Sequence, residues 1–312
     1  MGCVCTNIFD ERIISYIFPD VIYERREKES HRVSYPQWCI HHHDWYEIYI
    51  NLGDPVQYVA EEHIMELPFG GVVITPPGVQ HYAYTGDGNI YHRMRLHLSP
   101  QTYETFARYQ VSLQELQTPS CRMAVLTEDP MQLVNAVENA AKTASSSMYL
   151  PVIVAVMEVL LRIYRQMEKD KLWDKDVKRM PHLLWEILQY IHEDENYLRI
   201  TSNREVAQRF YITESYLSRM FQQYMPLTAH KYLLGLKINY ARTMLLKGSS
   251  VTEACYAVGF SDCSHFIAIY RQYTGETPGN TGRQHYSERS ENPVRTKPEQ
   301  PVGKKYSANT KK

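Results

Sequence analysis

Residues 41–47 read His-His-His-Asp-Trp-Tyr-Glu. Alternate residues of an extended strand share a face, so His41, His43, Trp45 and Glu47 project together. His81, on another expected strand, is a third imidazole that could converge with them. Three neutral imidazoles and one carboxylate form a donor set for Fe²⁺, Mn²⁺, Ni²⁺ or Zn²⁺. The same groups without a metal make a polar wall that hydrogen-bonds a small ligand, and the residue types fit both readings. Trp45, Tyr49, Tyr82 and Tyr84 offer stacking surfaces, and Arg93 or Arg95 an anionic anchor, unless these aromatics serve only as core. An aromatic wall with polar spots suits a sugar, among many other metabolites. The ligand-facing set is therefore His41, His43, Trp45, Glu47, His81 and Arg95, of which His41, His43, Glu47 and His81 are also the metal candidates.

A second group lies in the last third of the chain. Phe221-Gln-Gln-Tyr-Met-Pro-Leu-Thr228 repeats as Tyr270-Arg-Gln-Tyr-Thr-Gly-Glu-Thr277, 49 residues on. Upstream, Ala207, Phe210 and Ile212 match Cys255, Val258 and Phe260. Each copy reads as a short helix, a tight turn and a second helix. Thr213 caps the second helix of the first copy, which buries Leu217, Met220 and Phe221 and presents Ser215, Tyr216, Ser218 and Arg219 outward. In the second copy Gly259 makes the turn and Ser261 or Asp262 the cap. Phe266, Ile269 and Tyr270 face inward there, leaving Cys263, Ser264 and His265 outside. Between the copies, 229–246 is an uninterrupted helical pattern spanning roughly 27 Å at about 1.5 Å per residue. Allowing for the width of each unit, that length can place two second helices about one duplex turn, roughly 34 Å, apart.

The elements that carry the first group are short strands punctuated by Gly and Pro. They cover 13–18, 21–23, 47–51, 57–60, 72–74, 82–84 and 91–98, the spacing of a small antiparallel barrel or sandwich. Helical periodicity follows at 101–109, 130–142 and 151–167, with 169–179 as an exposed connector. The apolar helices 130–142 and 151–167 either pair two copies of the chain or cover the barrel. The tail from 281 is poor in large aliphatics and reads as disordered.

The net charge of −1 is divided along the chain: −10 over 1–195, +5 over 196–283 and +4 over 284–312. Phosphate binding by the C-terminal part needs such a division, although a solvated basic face would also show it. No apolar run approaches the length of a membrane span and no secretory leader is evident. The six cysteines lack paired zinc spacing and read as reduced thiols of a cytoplasmic protein.

Two resemblances follow from these stretches. Ile212-Thr-Glu-Ser-Tyr-Leu-Ser-Arg-Met-Phe221, Lys237-Ile-Asn-Tyr-Ala-Arg-Thr-Met-Leu-Leu246, 251–266 and Gly275-Glu-Thr-Pro278 resemble the AraC/XylS-type regulators. The His41–Glu47 stretch with Gly53, and Gly70, Pro76, Gly78 and His81, resemble the two motifs of a cupin. The first resemblance implies base contacts from Ser215, Ser218, Arg219, Cys263, Ser264 and His265. Ala268 stands where the family usually has an arginine, and Pro226 where a glycine is usual, so the first unit is expected to discriminate bases more. The expected architecture is multidomain, α and β. A cupin-like antiparallel β-barrel sensor over 1–100 is followed by a helical dimerisation or linker region over 101–180. An all-α double helix-turn-helix domain over 181–283 and a basic disordered tail over 284–312 complete it.

The expected function is a ligand-responsive, sequence-specific transcriptional activator of a metabolic, carbohydrate-related operon, not an enzyme. Its partners are double-stranded DNA, a small-molecule effector such as a sugar, a second copy of itself and RNA polymerase, with no membrane. No cofactor is required, a divalent metal at the cupin-like site being the option left open. A metal-dependent cupin enzyme tethered to DNA and a ligand-free dimerisation module are the alternatives.

Overall fold

The computed structural model describes residues 4–8, 11–28, 40–85, 90–109, 121–145, 147–170, 178–225 and 227–283. The expected tail over 284–312, Pro226 and most of the expected connector lie outside the described residues.

Among the described residues, eleven strands precede or interleave with the first helices. They are β1 (Val4–Ile8), β2 (Glu11–Ile17), β3 (Val21–Lys28), β4 (Tyr46–Asn51), β5 (Val56–Ala60), β6 (His63–Leu67), β7 (Gly71–Thr75), β8 (His81–Thr85), β9 (Tyr91–Leu98), β10 (Arg122–Val125) and β11 (Lys178–Arg179). Among the described residues they do not close into one barrel. Instead they form two antiparallel sheets, a large one in the order β1-β2-β3-β9-β4-β7-β10 and a small one in the order β11-β6-β5-β8. The expected antiparallel β region is present as two sheets, and no closed barrel is seen among the described residues: strand spacing reports antiparallel neighbours, not where a sheet ends.

Period-two alternation gives each sheet two different faces. On the large sheet Tyr23, Ile48, Ile50, Val72, Met94 and Leu96 point one way. They share a core with helices α1 (Pro100–Tyr109), α2 (Met131–Thr143) and α3 (Leu150–Asp170). Glu138 of α2 ties helix to sheet, accepting hydrogen bonds from Tyr23 Oη at 2.6 Å and Arg25 Nε at 2.7 Å. The opposite face carries Glu24, Glu47, Tyr49, Arg93, Arg95 and His97. The registers Glu24↔Arg95, Tyr49↔Arg95 and Glu47↔His97 place these residues side by side. On the small sheet Tyr58, Ala60 and Met65 pack inward with Tyr49 and Val73 of the large sheet. Val59, Ile64, Tyr82 and Tyr84 pack outward, against the C-terminal helices. No helix among the described residues is long and apolar enough to cross a membrane.

The C-terminal part is helical: α4 (His182–His192), α5 (Asn196–Arg199), α6 (Asn203–Arg209), α7 (Glu214–Tyr224), α8 (Ala229–Leu246), α9 (Val251–Ala257) and α10 (Cys263–Thr274). It has two cores. One joins α4, α6, α7 and the first half of α8 to the small sheet; the other joins the second half of α8 to α9 and α10.

Candidate functional site

Helices α6–α7 and α9–α10 are two copies of one local design. Ser202 starts α6, its hydroxyl accepting from Glu205 N, and Ser250 starts α9 with Glu253 in a reciprocal capping box. The turns correspond: Ile212 N donates to Ala207 O at 2.9 Å, and Phe260 N to Cys255 O at 3.2 Å. Each turn needs one residue in the left-handed region. In the second copy it is Gly259, with φ 82°, and in the first it is Tyr211, with φ 56°, which a side chain adopts at a cost of about 1–2 kcal/mol. Thr213 then caps α7 through Tyr216 N, and Asp262 caps α10 through Ser264 N.

Helix α8 holds the copies together. Its Lys237 crosses to Ile200, donating from Nζ to the carbonyl oxygen at 2.9 Å, and partial burial lowers its pKa. His192 of α4 meets Tyr232 of α8 at 2.7 Å, and burial pushes its imidazole down to about 4, so that it is neutral at pH 7. Such a strut fixes the spacing of α7 and α10.

Of the residues expected on the outer faces, Ser215, Tyr216, Arg219, Ser264 and His265 are exposed and Ser218 is half-buried. Cys263 differs. It is half-buried against the second core with its thiol beside Cys255. His265 rests edge-on against Phe260, with ring centroids 5.6 Å apart.

A second site lies between the two sheets. His41 and His43 precede β4, Glu47 is on β4 and His81 begins β8; one ligand atom from each lies within 4.8 Å of all the others. Glu47 and His81 are buried, at 2% and 1% exposure, while His41 is the most exposed of the four. Around Glu47 Oε2 stand His97 Nε2 at 2.8 Å, His43 Nε2 at 3.4 Å, Arg95 Nη1 at 3.6 Å and His81 Nε2 at 3.7 Å. Burial alone would raise the Glu47 carboxyl, but these imidazoles and the Arg95 guanidinium outweigh it and hold it well below the usual carboxylate range.

His97 is an addition to the set expected from the sequence. It has the strand parity of Arg93 and Arg95, both read as facing a ligand, and extending the same alternation by two residues finds it. Next to it Glu24 accepts from Arg95 Nη2 at 2.7 Å and Arg93 Nη2 at 3.0 Å and pairs with Arg26 Nε at 3.0 Å. Arg93 is 3% exposed. Its Nε and Nη1 have no hydrogen-bond partner among the described residues, and its guanidinium lies 5.5 Å from the Tyr91 ring centroid.

Tyr82 and Tyr84 do not line this site. His81 points inward, so the alternation of β8 sends its neighbours outward into the core shared with Leu184, Trp185 and Met225. Trp45 is half-buried beside the histidines, and Tyr49 is buried on the inner face.

Comparison with known proteins places the helical half. A model described as "Helix-turn-helix domain" matches residues 206–284. The uncharacterized HTH-type transcriptional regulator YijO of Escherichia coli is 37% identical over 103 residues, covering 32% of this chain and 36% of YijO. The chain thus matches about a third of that relative's length. The HTH-type transcriptional activator RhaS of Salmonella arizonae is 24% identical over 250 residues, 76% of this chain and 85% of RhaS. Among solved structures, ToxT from Vibrio cholerae covers 86% of this chain and 98% of its own at 9% identity and a TM-score of 0.36. With the paired units and their shared strut in view, the chain carries a C-terminal helix-turn-helix domain similar to those of HTH-type transcriptional regulators.

Proposed function

We propose that this chain is a cytoplasmic, ligand-responsive activator of a metabolic operon, in which residues 1–180 sense an effector and 181–283 read DNA. The observation that carries this reading is the shared core between the small sheet and the first helix-turn-helix unit. On β8, His81 faces the inter-sheet site while the next residue, Tyr82, donates from its hydroxyl to Met225 Sδ at 3.2 Å, at the end of α7. A change in the position of β8 is therefore felt at a recognition helix. An effector shifts the balance of arrangements only through its differential affinity for them. Activation, which brings RNA polymerase in as a further partner, is supported by relatives named as transcriptional activators.

The charge between the sheets bears on the effector's chemistry. Arg26, Arg93 and Arg95 stand against Glu24 and Glu47, and part of the Arg93 guanidinium lacks a hydrogen-bond partner among the described residues. A buried cation favours a compensating charge, so a carboxylate, such as a sugar acid, fits better than the neutral sugar for which Tyr82 and Tyr84 were expected to provide stacking surfaces.

Arg219 tests the DNA-reading half. Exposed on α7, it is assigned a base contact, and Arg219→Ala should weaken binding to a selected duplex by roughly 1–3 kcal/mol and relax sequence preference. An unchanged site preference in a gel-shift titration would refute the assignment.

We assign the dimer contact to α3. Leu150 and Val154 are 69% and 60% exposed, with Ile153 and Met157 half-buried beside them, an apolar stripe at helical spacing. Val154→Glu should shift the chain toward a monomer in sedimentation equilibrium, and an unaltered mass would move the contact elsewhere.

A further inference from the structure

We propose that His41, His43, Glu47 and His81 hold a divalent transition-metal ion, with His97 orienting the carboxylate ligand through the same oxygen, Oε2. Hydrogen bonds to the backbone fix where the imidazole protons sit. Nδ1 of His43 lies 2.7 Å from the carbonyl oxygen of Trp45, and Nδ1 of His81 lies 2.8 Å from that of Val79. A carbonyl oxygen only accepts, so both Nδ1 atoms carry the proton, and a neutral ring then presents a bare lone pair at Nε2. Both lone pairs face Glu47 Oε2, at 3.4 and 3.7 Å. In the metal-free site these rings stabilise the Glu47 carboxylate; a cation placed among the two lone pairs and the carboxylate takes over that role and is attracted by all three.

Further features of the geometry favour a metal. His81 Nε2 is buried and has no hydrogen-bond partner among the described residues, so no proton there is used. Fixing a histidine through Nδ1–H to a backbone carbonyl is how proteins orient metal-ligating imidazoles. Bonds of about 2.0–2.2 Å require donor atoms roughly 3–4 Å apart. The four residues here already lie within 4.8 Å, so small side-chain rotations suffice. Three imidazoles and a carboxylate favour Fe²⁺, Ni²⁺, Cu²⁺ or Zn²⁺ over Mg²⁺ or Ca²⁺. His41 leaves one side open to solvent, through which an ion enters and an outside ligand reaches it.

The metal would also add to the positive charge supplied by Arg26, Arg93 and Arg95. A carboxylate reaching between the metal and Arg93 would be held at both ends. That role rests on the effector reading above; the binding of the ion does not.

The test uses the full chain without a histidine tag. Stripped with chelator and titrated with Co²⁺, the wild type should take up one equivalent with the visible absorption of nitrogen-ligated cobalt, and should gain thermal stability. His41→Asn, at an exposed position that leaves the core intact, and His43→Gln should each weaken uptake at least tenfold while far-UV circular dichroism stays unchanged. Mg²⁺ should not compete. Absence of a spectral change in the wild type, or equal uptake by His41→Asn and the wild type, would overturn the proposal. Should Co²⁺ bind as described while neither it nor a carboxylate panel alters DNA affinity, the metal site stands and the effector reading fails. Should carboxylates tune DNA affinity in a chain that takes up no metal, the effector reading stands and the metal site fails.

Discussion

Phe266→Ala should cost the chain one of its two duplex contacts and leave the other in place. Phe266 is fully buried in the second core, with its ring centroid 5.4 Å from that of Phe260 and 5.6 Å from that of Tyr270. Truncating a buried phenylalanine costs about 3–5 kcal/mol, a large share of what a small helical unit has. The first unit does not share the loss, because Phe221 and Leu217 pack in a separate core continuous with the small sheet. The expected footprint of Phe266→Ala on a selected site is therefore shortened from two successive major-groove segments to one. Its affinity should also fall less steeply with salt, since fewer phosphates are neutralised. A footprint of unchanged length would mean that α10 does not enter a groove.

The strut and its two units are legible in the sequence because each is specified locally. Helix α8 spans Ala229–Leu246, the same bounds as the helical pattern, since Thr228 caps one end and Gly248 follows the other. Thr213 and Asp262 cap where the sequence places a side-chain oxygen. The sensor half is legible as strands but not as an architecture. Strands β6 and β10 escape a reading by pattern: β6 owes its place to β5 and β11, β10 to β7, and neither carries a strong alternation of its own. The division into two sheets has no signature in any one strand. The outward turn of Tyr82 and Tyr84 is hidden for a related reason. An aromatic flanking a site histidine looks like part of the site until alternation is applied residue by residue. The half-buried Cys263 depends on how far α10 is rotated, which periodicity fixes only to within part of a turn.

The pairing of His81 with Tyr82 on one strand gives the second large effect. Tyr82 is 1% exposed and holds Met225, at the end of α7, by packing and by its hydroxyl. Lys178, on the strand that extends the same sheet, donates to the Gln223 carbonyl oxygen at 2.9 Å, so two contacts fix that helix end to the sensor. In the wild type, loading the stripped chain with Co²⁺ should change affinity for a selected duplex about fivefold or more, within the usual range of coupling between sites. Tyr82→Ala should abolish this response while Co²⁺ still binds, because the truncated side chain no longer carries a shift of β8 to α7. Amide exchange over 221–225 should then accelerate as the helix end is released. Tyr82→Phe, which removes only the hydroxyl contact, should keep most of the response, since packing carries more of the link than one hydrogen bond to sulfur. A Tyr82→Ala chain that answers Co²⁺ as fully as the wild type would show that the two halves communicate by another route, for which the exposed stripe of α3 and a rearranged dimer would be the next place to look.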